Sequence, residues 1–333
     1  MKIFITGVAG FLGCHLAKRM LELGHSVGGN DNMIGGEKDN IPNKVSFFDI
    51  DCTNYEEMKK ALKGYDIVYH CAATAHEGLS VFSPYTITKN IYGATVSTLT
   101  ASITNKVKRF VYCSSMARYG SQKFPFTEDM PTKPQDPYGI AKVAGEDTLK
   151  LLADVHGMEW NIAVPHNIVG PNQKYDDPFR NVLSIFINRN LQGKPALIYG
   201  DGKQKRCFSY VDDCIFCLEK MGFDENIKKE IINIGPDEEA ISIRDLANLI
   251  ANELGFNGKP EFISDRPQEV RVATCSADKA RKLLNYETKT SLKDSIKLTA
   301  EYIKKKGVKP FKYYLPVEIV NEKTPDAWTK KLI

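Results

Sequence analysis

The sequence predicts an α/β protein: a doubly wound parallel sheet followed by a smaller, mixed α/β lobe. Three observations predict it. Short apolar runs alternate with helical periods through the first half of the chain, a glycine-rich turn joins the first strand to the first helix, and the alternation loosens beyond about residue 170 into Pro- and Gly-containing stretches.

The strands are read in order as KIFIT (2–6), SVGGN (26–30), VSFF (45–48), DIVYHCA (66–72), RFVYC (109–113) and WNIAVP (160–165). Helices are predicted over 11–23, 87–105 and 138–156, where apolar residues recur at helical spacing. Strands joined through helices pair in parallel. Three more helices are predicted over 179–192, 242–254 and 291–305. The domains follow as 1–170 for the sheet and 171–306 for the lobe, with some chain returning to the sheet. A tail over 307–333 carries Phe, Tyr, Trp and Pro without periodicity and is expected on the lobe surface or at a subunit contact.

The 45 basic and 41 acidic side chains are interspersed along the 333 residues, giving a formal net charge of +4 and no basic patch for nucleic acid. Apolar runs fall short of the roughly 18 residues of a membrane span. The chain enters its first strand directly, without a signal-like segment, so it is read as cytoplasmic with no membrane part. Eight cysteines are scattered, most of them in apolar runs. Cys214 and Cys217 form a CxxC with no second pair or histidine cluster, so no metal site is predicted and buried thiols are expected.

KIFIT runs into Gly7-x-x-Gly10-x-x-Gly13 and then an amphipathic helix. Glycines there let backbone N–H groups approach a pyrophosphate at the positive end of a helix. Asp31 follows 18 residues after Gly13, near the end of the second strand. A carboxylate there accepts from both ribose hydroxyls and repels a 2′-phosphate, favouring NAD over NADP. Asp49 and Ile50 either flank an adenine or merely end the third strand.

In DPYGIAK, Tyr138 and Lys142 stand four residues apart and share one helix face. Lowering a tyrosine from about 10 to about 7 takes roughly 4 kcal/mol of preferential stabilisation of the phenolate, which a cation at Lys142 can help supply. Upstream lies the loop SSMARYG (114–120).

The glycine turn, the serine loop and YxxxK, in this order, resemble the extended short-chain dehydrogenase/reductase family, in its nucleotide-sugar epimerase branch with a Rossmann-type sheet. The resemblance runs over nearly the whole chain, through HCAA (70–73), Asn90, HNIVGPNQ (166–173), YGDGKQKRCFSYVDD (199–213), INIGPDE (232–238) and DRPQEVR (265–271). It implies bound NAD, lined by Gly7, Gly10, Phe11, Leu12, Gly13, Asp31, Asn32, Asp49, Ile50, Ala72, Ala73 and Asn90. It also implies a UDP-sugar substrate, with Ser115 on the sugar O4, Tyr138 as base, Lys142 on the ribose, Asn167 on the substrate, and Arg206 and Arg266 on the diphosphate. Bidentate cations suit a buried diphosphate. His70, ending a buried strand, reads as structural, whereas His76 and Glu77 face where a sugar can lie. Pro165-His166 and Cys207 depart from the family pattern of an aromatic pair and an acid.

Related 4,6-dehydratases carry Asp-Glu after the loop's Ser or Thr, and related decarboxylases a Glu at the place of Ala117. Here Met116 and Ala117 stand there as apolar filler, so the loop supports oxidation but not elimination. The resemblance then implies a redox-neutral 4-epimerase, in which a 4-keto sugar turns over and takes the hydride back on its other face. The resemblance places Ala273 where the family varies a bulky tyrosine against a small residue, which implies room for an N-acetyl group at C2, hence UDP-GlcNAc/UDP-GalNAc, with UDP-Glc/UDP-Gal and UDP-GlcA/UDP-GalA open. An NADH-dependent 4-keto-6-deoxy-sugar reductase and a silent nucleotide-binding scaffold are the alternatives. A homodimer, pairing through the helix after Asn90 and the Tyr138 helix, and a place in polysaccharide-precursor synthesis complete the expectations.

Overall fold

The computed structural model describes residues 1–333. Seven parallel strands form the main sheet, in the order Glu230–Ile234, β6, β5, β4, β1, β2, β3. Here β1 is Lys2–Thr6, β2 Ser26–Asp31, β3 Ser46–Asp49, β4 Ile67–His70, β5 Arg109–Cys113 and β6 Glu159–Pro165. Strand order reverses at β1, the place where such sheets open a crevice beyond their carboxyl ends. Register levels those ends, because Thr6 stands opposite Asn30 on one side and His70 on the other.

Alternation along β1 sends Ile3 and Ile5 to one face and Phe4 to the other. The first face packs on α1 (Phe11–Glu22) and the helix Val211–Phe223 through Leu16, Met20, Cys214 and Leu218. The CxxC thiols are therefore core residues, and burial pushes Cys217 up to about 12. The opposite face packs on Leu99 and Leu149 of the helices Ala94–Thr104 and Pro137–His156.

The smaller lobe surrounds a third core, with Leu183, Phe186, Leu246 and Ile296 from the helices Val182–Leu191, Ile243–Leu254 and Leu292–Lys306. Chain from this half joins the sheet as the strand Glu230–Ile234 and packs on it through the helix Val211–Phe223. In a short three-stranded ladder Arg206 lies opposite Ile241 and Ala273.

Two expectations are corrected. The helix foreseen over 87–105 starts at Pro84, whose fixed φ suits a first helical turn, and is broken by a π-type turn at Lys89–Gly93 that carries Asn90. The tail does not merely coat the lobe: Leu315, Ala327 and Trp328 pack with Leu79, Phe82 and Phe179 beside the crevice. No helix is long and apolar enough to cross a membrane.

Candidate active site

A cleft of about 500 Å³ runs between the sheet's carboxyl ends and the smaller lobe. Its floor starts at the glycine turn. A Cβ on Gly13 would meet the Gly7 carbonyl oxygen at 2.2 Å, and one on Gly7, whose φ is +70°, would meet Ala72 Cα at 2.9 Å. Only glycine fits this close approach, and the turn delivers the N-terminus of α1 to the cleft. Asp31 is buried beside it and accepts from the amides of Ala9 (3.1 Å) and Met33 (2.9 Å), while burial still raises its carboxyl pKa. These features fit a dinucleotide: pyrophosphate at the turn and ribose at Asp31.

Phe11, Leu12, Asn32, Ala72, Ala73 and Asn90 also line the cleft. The Asn90 amide donates to the Thr74 hydroxyl at 3.0 Å, which fixes the loop after β4. Asp49 is exposed and Ile50 half-buried, and neither reaches the cleft. Asp51 and Cys52 take that place, because β3 ends at Asp49 and the chain turns at Asp51, which accepts from the Thr53 amide at 2.7 Å.

At the chemical end, Asp136 caps the Tyr138 helix by accepting from the Gly139 amide at 2.9 Å, with Pro137 as its first residue. Tyr138 is buried, and desolvation pushes its phenol up to about 12. The Ser115 hydroxyl and Arg180 pull it the other way, while Glu77 and Asp136 push it further up. Lys142 lies one helical turn along, its Nζ donating to the Cys113 carbonyl at 2.7 Å and 6.0 Å from the Tyr138 ring centre. Burial brings the ammonium down to about 8 against the attraction of Cys113, Cys71 and Glu146.

Ser115 starts a short turn, Met116–Tyr119, and its hydroxyl accepts from the Ala117 amide at 3.2 Å. The turn is anchored from beneath. Glu146 is buried in the Tyr138 helix, accepts from Arg118 Nε at 3.0 Å and Nη2 at 3.0 Å, and also binds the Ser114 hydroxyl. Sequence reasoning assigned Arg118 and Glu146 nothing. The signal was a loop cation followed by an acid on a helix, too common to stand out. Met116 and Ala117 do line the cleft as apolar wall.

On the far wall, the Asn167 side chain donates to the Cys207 carbonyl at 2.8 Å, and Asn167 has a φ of +43°. His166 is buried against the Pro236 carbonyl at 3.0 Å. Arg206 and Arg266 converge on Glu269 at 3.0 and 2.6 Å, and Arg266 lies over the Tyr199 ring at 4.5 Å. Ala273 lines the cleft beside Arg206. His70 is structural as expected: its nitrogens meet Thr6 and Thr95 hydroxyls at 2.9 and 3.1 Å, and burial brings it down to about 3. His76 does not stand free, because its Nε2 meets Asp177 at 2.8 Å. Sequence reasoning missed Asp177, Arg180 and Tyr314, all cleft residues.

A family model described as the NAD-dependent epimerase/dehydratase family matches residues 3–235. A putative UDP-glucose 4-epimerase of Methanocaldococcus jannaschii is 34% identical over 91% of this chain and 98% of that protein. A UDP-N-acetyl-α-D-glucosaminuronate decarboxylase of Bacillus cytotoxicus is 32% identical over 74% of this chain and 78% of its own length. Among solved structures, UDP-glucuronic acid 4-epimerase of Bacillus cereus in complex with UDP-glucuronic acid and NAD superposes with a TM-score of 0.85 at 30% identity, covering 92% of this chain and 100% of that one. A match over residues 3–235, with relatives aligned across nine-tenths of the chain, places it in the NAD-dependent epimerase/dehydratase family.

Proposed function

We propose that the protein interconverts a UDP-sugar and its C4 epimer, keeping NAD bound through each turnover. The observation that carries this reading is the convergence of Ser115, Tyr138 and Lys142 at one end of a cleft whose other end is the glycine turn with Asp31. NAD, when bound, accepts the C4 hydride and returns it. Tyr138 takes the O4 proton, Ser115 holds O4, and Lys142 binds the nicotinamide ribose and adds positive charge beside the phenolate. Arg206 and Arg266 hold the diphosphate, exchanging Glu269 for phosphate oxygens. Half-turn rotation of the 4-keto sugar then presents its other face to the same hydride.

UDP-GlcNAc/UDP-GalNAc is the preferred pair, supported by the small side chain of Ala273 in the cleft wall. A homodimer is supported by apolar residues left exposed on the helix carrying Tyr138, with Ile140 at 55%, Leu151 at 65% and Val155 at 69% exposure.

Proton NMR of the protein with UDP-GlcNAc, UDP-Glc and UDP-GlcA in turn, with catalytic NAD only, tests the reading. Appearance of the 4-epimer without net NADH supports it and ranks the sugars. If all three stay unchanged while a 4-keto-6-deoxy sugar consumes NADH, the protein is a reductase.

A further inference from the structure

Seven of the eight cysteines are buried, and Cys71 alone is partly exposed. It lines the cleft together with Cys113. Their sulfurs lie 3.6 Å apart, the one hydrogen-bonding contact between two thiols in the protein. The sheet brings them together. His70 stands opposite Tyr112 where β4 pairs with β5, so the next residue of each chain segment, Cys71 and Cys113, meets its neighbour at the carboxyl end of the sheet. Neighbouring strands run about 4.8 Å apart, inside the Cα separation of roughly 4.4–6.8 Å that a disulfide spans. Closing the sulfurs from 3.6 Å to a bond of about 2.05 Å takes rotation of two side chains and a small approach of the strand ends.

The pair sits between the two ends of the site. Ala72, next to Cys71, is the residue that the glycine turn approaches, and its amide donates to the Thr6 hydroxyl at 3.1 Å. The Cys113 carbonyl accepts from Lys142 Nζ at 2.7 Å, and Ser114 and Ser115 follow it in the chain. A dinucleotide lying over Gly7 and Ala72 covers both sulfurs. Neither hydride transfer nor proton transfer at the sugar uses a thiol.

We propose that Cys71 and Cys113 form a reversible oxidation site: a peroxide entering the cleft in the absence of NAD converts them to a disulfide that distorts the floor under the cofactor and weakens its binding, whereas bound NAD shields them. One sulfur, as thiolate, attacks a peroxide oxygen, the O–O bond breaks, and the departing oxygen takes up the thiol proton and leaves as water. The resulting sulfenic acid is attacked by the second sulfur, the S–O bond breaks, the S–S bond forms, and the second thiol proton leaves in a second water. Two thiols thus lose two electrons and one peroxide gains them. A dithiol reverses the bond by exchange. Hydrogen bonding between the sulfurs brings one thiol of the pair below the ordinary value, against desolvation and with help from Lys142, and holds the other well above it. One attacking thiolate and one resolving thiol is the division of labour that the two steps require.

The test treats the full chain with hydrogen peroxide, freed of nucleotide and, in parallel, saturated with NAD, and reads it by intact mass and by peptide mapping without reductant. Loss of the mass of two hydrogen atoms and linkage of the Cys71 and Cys113 peptides are expected in the nucleotide-free protein, suppressed at least about tenfold by NAD and reversed by dithiothreitol. Fluorescence titration is expected to show NADH binding at least about tenfold weaker in the oxidised than in the re-reduced protein. Binding by the re-reduced protein certifies that the nucleotide-free chain stays folded. Cys71→Ala and Cys113→Ala, each compared before and after peroxide, are expected to lose the linkage and the change in affinity. Sulfurs that stay unlinked, whether free or as separate sulfinic acids, overturn the proposal, as does a disulfide that forms equally under saturating NAD or leaves NADH affinity unchanged. Linkage and cofactor affinity are read without any sugar, so failure of the epimerase reading leaves this result standing.

Discussion

The Tyr314 hydroxyl donates to Asp177 Oδ2 over 2.8 Å, and the same oxygen meets His76 Nε2 at 2.8 Å. Three distant parts of the chain meet there: the loop after β4, the loop before Val182–Leu191, and the tail. Farther along the tail, the Glu318 carboxylate accepts from the amides of Tyr85 and Thr86 at 3.0 and 2.9 Å, fastening the start of the next helix. The tail is a strap that fixes the wall carrying His76 and Glu77. Tyr314→Phe removes one donor from a buried carboxylate, which costs about 1.5–3 kcal/mol. Thermal denaturation is expected to show that loss. KM for the UDP-sugar is expected to rise several-fold with kcat within twofold, because the strap shapes the wall and does not touch the hydride path. An unchanged KM would limit the tail to stability.

Lys142 has two opposing consequences. Its folded pKa is brought down from 10.5 to about 8, so holding it charged at neutral pH costs roughly 3 kcal/mol. Lys142→Met removes that cost but leaves the Cys113 carbonyl without its partner, a loss of about 1–3 kcal/mol. Stability is therefore expected to be unchanged or to rise by up to about 2 kcal/mol, while epimerisation falls by about a hundredfold or more. The sign of the pH effect follows. Between pH 8 and 10.5 the unfolded lysine holds a proton that the folded one has lost, so the Lys142 contribution to stability rises with pH across that window. Denaturant titrations at pH 8 and pH 10 are expected to show this contribution as a difference between wild type and Lys142→Met.

Glu146 shows why part of the site was not legible in the sequence. The glycine turn, Asp31, the serine loop and YxxxK were readable because each ties a fixed spacing to a chemical need. The sheet was readable because buried parallel strands are short apolar runs. Asp51 and Cys52 were not, since a turn of two residues decides which side chains face the adenine end. Asp177 and Tyr314 were not, since nothing local relates residues 137 apart. Arg118 carries no local signal in the sequence, yet its guanidinium is buried against Glu146. Breaking such a pair strands a buried charge, at about 3–5 kcal/mol. Glu146→Ala is expected to lower the unfolding free energy by that order and to displace Ser115. Glu146→Gln keeps the hydrogen bonds in part and is expected to fall between. Equal stability of wild type and Glu146→Ala, measured by urea titration, would contradict the assignment.

Asp31 is held by two backbone amides, and the preference for NAD over NADP is predicted to follow from it. The carboxylate accepts the Ala9 and Met33 amides, and Gly36 passes so close that a Cβ there would meet Asp31 Oδ1 at 2.8 Å. Swinging aside to admit a 2′-phosphate would break both amide hydrogen bonds, and in place the two negative charges would face each other in a largely buried corner. Asp31→Ser removes that repulsion together with the acceptor for the ribose hydroxyls. NADH is expected to bind roughly 10–100-fold more weakly, a loss of about 1.4–2.8 kcal/mol, and the NADH/NADPH preference to move by at least tenfold toward NADPH. Fluorescence titration of both reduced cofactors measures the ratio directly. The two amides left without an acceptor give this variant a second signature, a lower melting temperature in the absence of cofactor. A variant that lost stability yet kept its NADH/NADPH ratio would make Asp31 a brace for the glycine turn rather than the group that reads the ribose.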